Sequence, residues 1–346
     1  MARSVRSAVR VGIVGPLLGT NPGWVTGQGE VLAEHLAGDG VEVRTASAVV
    51  GGPGRALDTF RRVRSWRGTV DVVVVLGYSG RAFALTDLGS RTAAQLDVPV
   101  ILWLHGGNLP GFADRHTRWV ARVLGQVDAL VAPSPYLARL GARVGREVTV
   151  IPNVLPMPPA GRVREHGAPN VLWMRTFHPL YRPELAVAAF AELHRRRPAA
   201  TLTLAGQDKG ELEATRRLVA RSGLEDAVTF AGFLDPAGKA EAFAVHDLFL
   251  NTTRIDNAPV SLLEAAAHGL VVVSTPAGGI ADLFSDGIDV LLAEDAAGLA
   301  GALEAVLDDP PLAARLSAAG RRLAESATWP HVGPRWHALL DDLSGR

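Results

Sequence analysis

The chain contains no cysteine. That excludes disulfide staples, thiolate zinc sites and cysteine nucleophiles, and it suits a reducing compartment such as the cytosol. There is no surplus of either charge: 35 basic residues stand against 35 acidic ones, and neither sign is gathered into a long block. Binding to nucleic acid or anionic lipid driven by net charge is therefore not expected. Long apolar runs are also missing, since Val98–Leu104 and Leu270–Val273 fall far short of the roughly 20 residues a spanning helix needs. The opening MARSVRSAVRVGIVG is basic, but its apolar part is short and flows into a glycine turn, so it reads as a first strand and not as a cleavable signal. A soluble, cytoplasmic protein is expected, with peripheral contact to a membrane left open.

What is present is a repeating α/β rhythm. The 346 residues are comfortable for two domains of about 100–200 residues each. Strand-like runs bounded by glycine, proline or polar turns recur at Val9–Val14, Val41–Ala46, Val70–Leu76, Val98–Leu104, Ala129–Ala132 and Val148–Ile151, with helical stretches such as Glu30–Leu36 and Arg115–Leu124 between them. Several runs are apolar throughout, the mark of a parallel sheet covered on both faces. The segment 151–168, rich in proline, then breaks the rhythm, and residues 154–168 read as a linker between domains of 1–153 and 169–327. The pattern restarts with strands at Asn170–Met174, Thr201–Ala205, Val228–Phe230, Leu248–Asn251, Val271–Ser274 and Val290–Leu292. Helices are expected at Pro183–Arg196, Gly210–Ser222, Gly238–Ala244, Pro259–His268, Gly279–Phe284 and Ala296–Asp308. Two doubly wound sheets result, and ligands of such sheets sit beyond the carboxyl ends of the strands, so a central cleft between the domains is the place to expect chemistry.

The most informative stretch runs from Asn251 to Thr275, a strand, a polar loop, a helix and another strand. Pro259 suits a first helical turn, whose free amides favour an anion. Glu264 lies about five residues into that helix, roughly 7.5 Å along the axis, too deep to cap it. Its carboxylate can accept hydrogen bonds from a ribose diol, and Asp256, eight residues earlier on the loop, can take a sugar hydroxyl. A turn aspartate and a solvated glutamate fit the spacing equally well.

This stretch resembles the GT-B glycosyltransferases, specifically the large retaining family 4: two acids separated by seven residues, then Ala265, Ala267, Gly269, the apolar Val271–Ser274 and Gly278-Gly279. The first acid of that family is usually glutamate and here is Asp256. The resemblance implies a retaining transferase that moves a sugar from a nucleotide-diphosphate sugar to a hydroxyl of a glycan, lipid or small molecule, with no cofactor and no metal. It gives Glu264 the donor ribose and the loop Asn257, Ala258, Pro259 and Val260 the sugar and phosphates. Arg175, ending the strand Asn170–Met174, becomes the clamp on the departing diphosphate, a role that a fixed guanidinium fills well. Where the family places a lysine, five or six residues on, stand Leu180 and Tyr181, so Lys209 or Arg182 has to supply a second positive charge; Lys209, at a strand's carboxyl end, is favoured. Thr229–Phe233 resembles the family segment beside the nucleobase.

In the first half, the loop from Gly19 to Gly29 resembles the one that closes over the donor diphosphate, with Gly23, Trp24 and Gly27 as its contacts, although a wall for the acceptor suits Trp24 equally. His105, at the end of the strand Val98–Leu104, matches a histidine that touches the transferred sugar, with Asn108 beside it. The terminal helix, residues 328–346, is implied to pack back on the first domain. No residue stands out as a covalent nucleophile, and no Asp-x-Asp metal motif is evident, so front-face displacement is the expected route. Rival readings are a nicotinamide oxidoreductase, a non-catalytic sugar-nucleotide or glycan-binding protein, and a phosphorylase or epimerase. The first fails because Gly12-Ile-Val-Gly15-Pro is not G-x-G-x-x-G and Val41–Ala46 has no acid at its end.

Overall fold

The computed structural model describes residues 9–21, 26–158 and 169–345. Two compact units are formed: one holds the described residues up to Val154 together with the segment from Trp329 onward, and the other runs Leu155–Thr328. Each is built on a six-stranded parallel sheet.

The first sheet contains β1 (Arg10–Val14), β2 (Glu42–Ala46), β3 (Val72–Gly77), β4 (Val100–Leu104), β5 (Ala129–Ala132) and β6 (Thr149–Val150), in the spatial order β2-β1-β3-β4-β5-β6. The second contains β7 (Asn170–Met174), β8 (Thr201–Ala205), β9 (Val228–Gly232), β10 (Leu248–Asn251), β11 (Val271–Ser274) and β12 (Leu291–Leu292), in the order β12-β11-β10-β7-β8-β9. The direction of winding reverses between β1 and β3 in the first unit and between β7 and β10 in the second. At such switch points neighbouring loops part company, leaving a crevice at the carboxyl ends of the strands.

The central strands are apolar on both faces because both are covered. Val73, Val75 and Leu102 point into one core of the first unit, while Val72, Val74, Ile101 and Trp103 point into the other. In the second unit Val171, Trp173, Leu202 and Leu204 are separated in the same way from Leu172, Phe249 and Val272. The period of two along each strand is therefore invisible as polarity and survives only as the division between two cores.

The helix Trp329–Ser344 belongs to the first unit. It inserts Val332, Trp336 and Leu340 into the core that holds Trp103, with the two indoles edge to face at 4.9 Å. Asp39 fixes its start, accepting from Trp329 Nε1 at 3.0 Å and lying 2.8 Å from His337 Nε2.

Several boundaries differ from the sequence reading. The stretch expected as one helix over Arg115–Leu124 is two, Leu109–Arg115 and Thr117–Gly125, parted at His116. Helices at Gly52–Ser65, Ala82–Ala94 and Pro310–Ser326 have no counterpart in that reading. Of the expected linker, residues 159–168 lie outside the described residues. Among the described residues no helix is long and apolar enough to cross a membrane.

Candidate functional site

Arg175 follows β7 and Asp256 follows β10, so the switch point of the second sheet brings together two residues far apart in sequence. Their side chains form an ion pair, both mostly buried. Arg175 Nη1 also donates to Ser261 Oγ at 2.7 Å, and the guanidinium lies over the Tyr181 ring, 4.2 Å from its centre. Burial pulls the pKa of Arg175 down, but the Asp256 carboxylate and Tyr181 outweigh it, and the group sits above its ordinary range. It is a fixed positive charge.

The loops carrying the pair are laced to each other. Trp173 Nε1 donates to Thr252 Oγ1 at 3.0 Å, and that hydroxyl donates to the Tyr181 carbonyl at 2.8 Å. Arg254 N–H donates to the Leu180 carbonyl at 2.8 Å, and Thr275 Oγ1 donates to the Thr253 carbonyl at 2.7 Å. Two glycines complete the scaffold. A Cβ on Gly206 would fall 1.9 Å from the carbonyl oxygen of Arg175, and one on Gly278 would fall 2.0 Å from that of Asp256. Both have positive φ, +149° and +65°, and only glycine allows such an approach at no steric cost. Gly279 N–H then donates to the Asp256 carbonyl at 2.9 Å.

The helix after this loop runs Val260–Ala267, with Pro259 as its N-cap and not, as the sequence reading has it, its first residue. Pro259 has ψ of 105°, extended and not helical. Within the loop, Asn257 N–H is committed to Asp256 Oδ1 at 2.8 Å, so the carboxylate organises the loop as well as the arginine. Asn257, Ala258 and Pro259 are buried, and Val260 is half-buried.

Glu264 is not a solvated residue. Its Oε1 accepts from Lys239 Nζ at 2.6 Å, with both side chains largely buried. Lys239 belongs to the helix Pro236–Val245, started by Asp235, whose carboxylate caps the Gly238 N–H at 2.8 Å. Sequence reasoning passed over Lys239. A signal existed: the chain has only two lysines, Lys209 and Lys239, and the helix Gly238–Ala244 was legible. Lys209 is exposed, in a tight turn where Asp208 Oδ1 accepts from Gly210 N–H at 2.7 Å. Its own N–H donates to the Phe177 carbonyl at 2.9 Å. Arg182, in the left-handed region with φ of +50°, stands 4.0 Å from Glu184. The position that was read as lacking a lysine holds Tyr181, whose ring supports Arg175. Phe230 packs under the Arg216 guanidinium at 4.4 Å.

In the first unit, His105 is buried, packed against Tyr78 at 5.3 Å and Trp103 at 4.4 Å, and its Nε2 has no hydrogen-bond partner. Burial pushes its pKa down to about 3, so the imidazole is neutral. Asn108 precedes the helix Leu109–Arg115. Gly27 is already engaged within its own loop. Its N–H, proposed for a phosphate, is taken by Glu30 Oε2 at 2.6 Å, while Glu30 Oε1 accepts from Gly19 N–H at 2.7 Å. Glu30 thus ties both ends of this loop, and an anion would have to displace a carboxylate. Gly23 and Trp24 lie outside the described residues. Among the described residues no cluster of three or more histidine or carboxylate side chains is placed to hold a metal ion.

Comparison with known proteins bears on this geometry. Residues 168–309 match the family model described as glycosyl transferases group 1, a span that includes Arg175, Lys239, Asp256 and Glu264. A glycogen synthase of Mycobacterium tuberculosis is 31% identical over 262 residues, covering 68% of this chain, and the chain spans 61% of that synthase. The structure is similar to sucrose-phosphate synthase of Thermosynechococcus elongatus, with a TM-score of 0.78 at 18% identity over 97% of this chain and 99% of that one. It is also similar to HepE of Anabaena in complex with UDP-glucose, with a TM-score of 0.74 at 16% identity over 97% of this chain and all of the other. The fold is that of the GT-B enzymes, two Rossmann-like domains each with a six-stranded parallel sheet.

Proposed function

We propose that the protein is a retaining glycosyltransferase that moves a sugar from a nucleotide-diphosphate sugar to an acceptor hydroxyl without a metal ion. The observation that carries the reading is the placement of Arg175, Asp256 and Glu264 around one switch point, inside the span that matches the group 1 model. A UDP-glucose complex of a protein with this fold supports the donor class. Arg175 meets the diphosphate and Glu264 the ribose diol, with Lys239 holding the carboxylate in place. Asp256, released from part of its pairing when the diphosphate takes the guanidinium, accepts from a hydroxyl of the transferred sugar. The acceptor is a hydroxyl of a glycan, a lipid or a small molecule.

In the transfer step the bond from the anomeric carbon to the phosphate oxygen breaks and a bond to the acceptor oxygen forms on the same face. The acceptor proton passes to the departing phosphate. The charge that grows on that phosphate is met by a guanidinium already in place, so little reorganisation is needed. His105, neutral, carries no proton in this scheme.

A thermal-shift screen against UDP-, GDP-, ADP- and TDP-sugars tests donor recognition, since a ligand of the folded state raises its melting temperature. Donor hydrolysis or transfer is then followed in EDTA, with the product's anomeric configuration read by proton NMR. An inverted product or a complete loss of turnover in EDTA would remove the retaining or the metal-free part of the proposal.

A further inference from the structure

Arg175 is held on its edge and on one face by different chemistries. Acceptors take the edge: Nη2 pairs with Asp256, and Nη1 donates to Ser261 Oγ at 2.7 Å. The face lies over the Tyr181 ring, 4.2 Å from its centre. A carboxylate competes with any anion that comes to the guanidinium, because both need the same N–H groups. An aromatic ring does not compete, since it meets the delocalised face, uses no N–H and leaves the charge in place. Of the contacts that fix Arg175, the one to the ring is therefore kept when a diphosphate replaces Asp256.

The segment that carries Tyr181 is fixed at almost every residue. Leu180 N–H donates to His178 Nδ1 at 3.1 Å, and Tyr181 N–H donates to the His178 carbonyl at 2.9 Å. Its carbonyls are bound from the loop that leads to Asp256. Thr252 Oγ1 lies 2.8 Å from the Tyr181 carbonyl and 3.0 Å from that of Arg182, while the Leu180 carbonyl accepts from Arg254 N–H at 2.8 Å and Thr253 Oγ1 at 3.3 Å. Arg182 then turns the chain with φ of +50°, a conformation uncommon outside glycine. The ring itself is half-buried against the core of the second unit. Thr252, Thr253 and Arg254 thus tie the support of the ring to the loop of the carboxylate, and the two close on Arg175 as one unit.

We infer that Tyr181 is a positioning residue for the leaving-group step, its ring holding Arg175 in place as the guanidinium passes from Asp256 to the departing phosphate. The inference deepens the glycosyltransferase reading and rests on it. A contact that keeps a charge aimed matters most where the opposing charge is greatest, which is on the departing phosphate and in the free nucleoside diphosphate, not in the sugar ester. Without the ring, Arg175 keeps its charge but has to reorganise as the bond breaks. The phenol oxygen also acts on the guanidinium, and a phenylalanine separates its part from that of the ring.

The test uses the full chain with Tyr181→Phe and Tyr181→Leu, each alone and combined with Arg175→Ala, and circular dichroism melts confirm that the variants fold. Sugar transfer is followed at steady state, and binding is titrated with whichever of UDP, GDP, ADP and TDP wild type holds most tightly. Tyr181→Leu is expected to lower both kcat and diphosphate affinity by about fivefold to thirtyfold, the range of a partly desolvated cation–π contact. The donor KM should change by less than about twofold, the mark of an interaction made mainly in the transition state. Tyr181→Phe should keep at least roughly half of the wild-type kcat, since the ring remains. In the Arg175→Ala background Tyr181→Leu should cost nothing further. A merely structural role would not give that last result, because damage to the fold lowers turnover whatever stands at position 175. Equal losses in Tyr181→Phe and Tyr181→Leu, an undiminished loss in the Arg175→Ala background, or an unchanged Tyr181→Leu overturns the inference. Failure of the glycosyltransferase reading is a separate result: wild type binds a diphosphate but transfers no sugar, and the titrations still decide whether the ring holds Arg175. Binding of none of the four diphosphates by wild type overturns both.

Discussion

Gly278 stands where a Cβ would come within 2.0 Å of the carbonyl oxygen of Asp256, and Gly206 stands in the same relation to Arg175 at 1.9 Å. The two partners of the central ion pair are thus each held at the backbone by a glycine from a neighbouring loop. Alanine at either glycine meets main chain and not a flexible side chain, in a backbone region that costs a non-glycine residue about 1–3 kcal/mol before any clash. Gly206→Ala and Gly278→Ala are expected to lower the melting temperature by several degrees and to weaken nucleotide-sugar binding together. Gly287→Ala, with φ of +73° and open space around it, should cost only stability. Scanning calorimetry with and without donor separates the two effects.

Arg175 and Asp256 answer differently to substitution. Arg175→Ala removes the charge that meets the leaving phosphate and leaves a carboxylate without its cation. Turnover is expected to fall about 10²–10³-fold, the usual loss for a preorganised charge-stabilising group. Asp256→Asn instead frees the guanidinium from a competing anion, so UDP should bind more tightly while turnover falls. Titration with UDP alongside steady-state kinetics checks both. Weaker UDP binding in Asp256→Asn would mean that the carboxylate mainly positions the arginine.

The Lys239–Glu264 pair is testable as a unit. Lys239→Met and Glu264→Gln should each raise the donor dissociation constant, and the double variant should cost less than the sum, with a coupling of about 0.5–3 kcal/mol. A 2′-deoxyribose donor should erase most of the penalty of Glu264→Gln. Additive effects would show that Lys239 acts apart from the carboxylate.

His105 makes a pH prediction with a definite sign. In the fold it titrates at about 3, against an ordinary 6.5. Between these values the unfolded chain binds a proton that the native chain does not, so this residue costs stability as pH falls, by at most about 1.4 kcal/mol per pH unit. Above 6.5 the contribution is flat. Wild type and His105→Asn should therefore approach each other in stability as pH drops from 7 toward 4, seen in denaturant melts. The turnover of wild type should show no inflection from this histidine near pH 6.

Much of the fold was legible because the strands carry their signal locally. Asn170–Met174, Thr201–Ala205, Leu248–Asn251 and Val271–Ser274 read identically in sequence and structure. The helix Gly52–Ser65 was not, since its opening Gly-Pro-Gly has the composition of a turn. In Ala82–Ala94 the buried face includes Thr86, Asp87, Ser90 and Thr92, which blurs the apolar stripe. At the site, Arg175, Asp256 and Glu264 were visible as motif residues. Their partners Ser261, Lys239 and Gly206 were not, and Gly278 was legible as a motif glycine but not as the cradle of Asp256, because these contacts are created only by the sheet order. The bonds of Glu30 to Gly19 and Gly27 were not legible either, because they exist only once the loop folds over the helix start.

The most direct measurement is sugar transfer itself. Wild type and Arg175→Ala are incubated with the nucleotide sugar that gives the largest thermal shift and with a panel of hydroxyl acceptors, in EDTA, and both free nucleotide and glycosylated product are quantified. The expected result is stoichiometric nucleotide and product from wild type, retained configuration at the anomeric carbon, and at least a hundredfold less of each from Arg175→Ala. Donor binding with no product from any acceptor, or equal turnover by the two proteins, would contradict it.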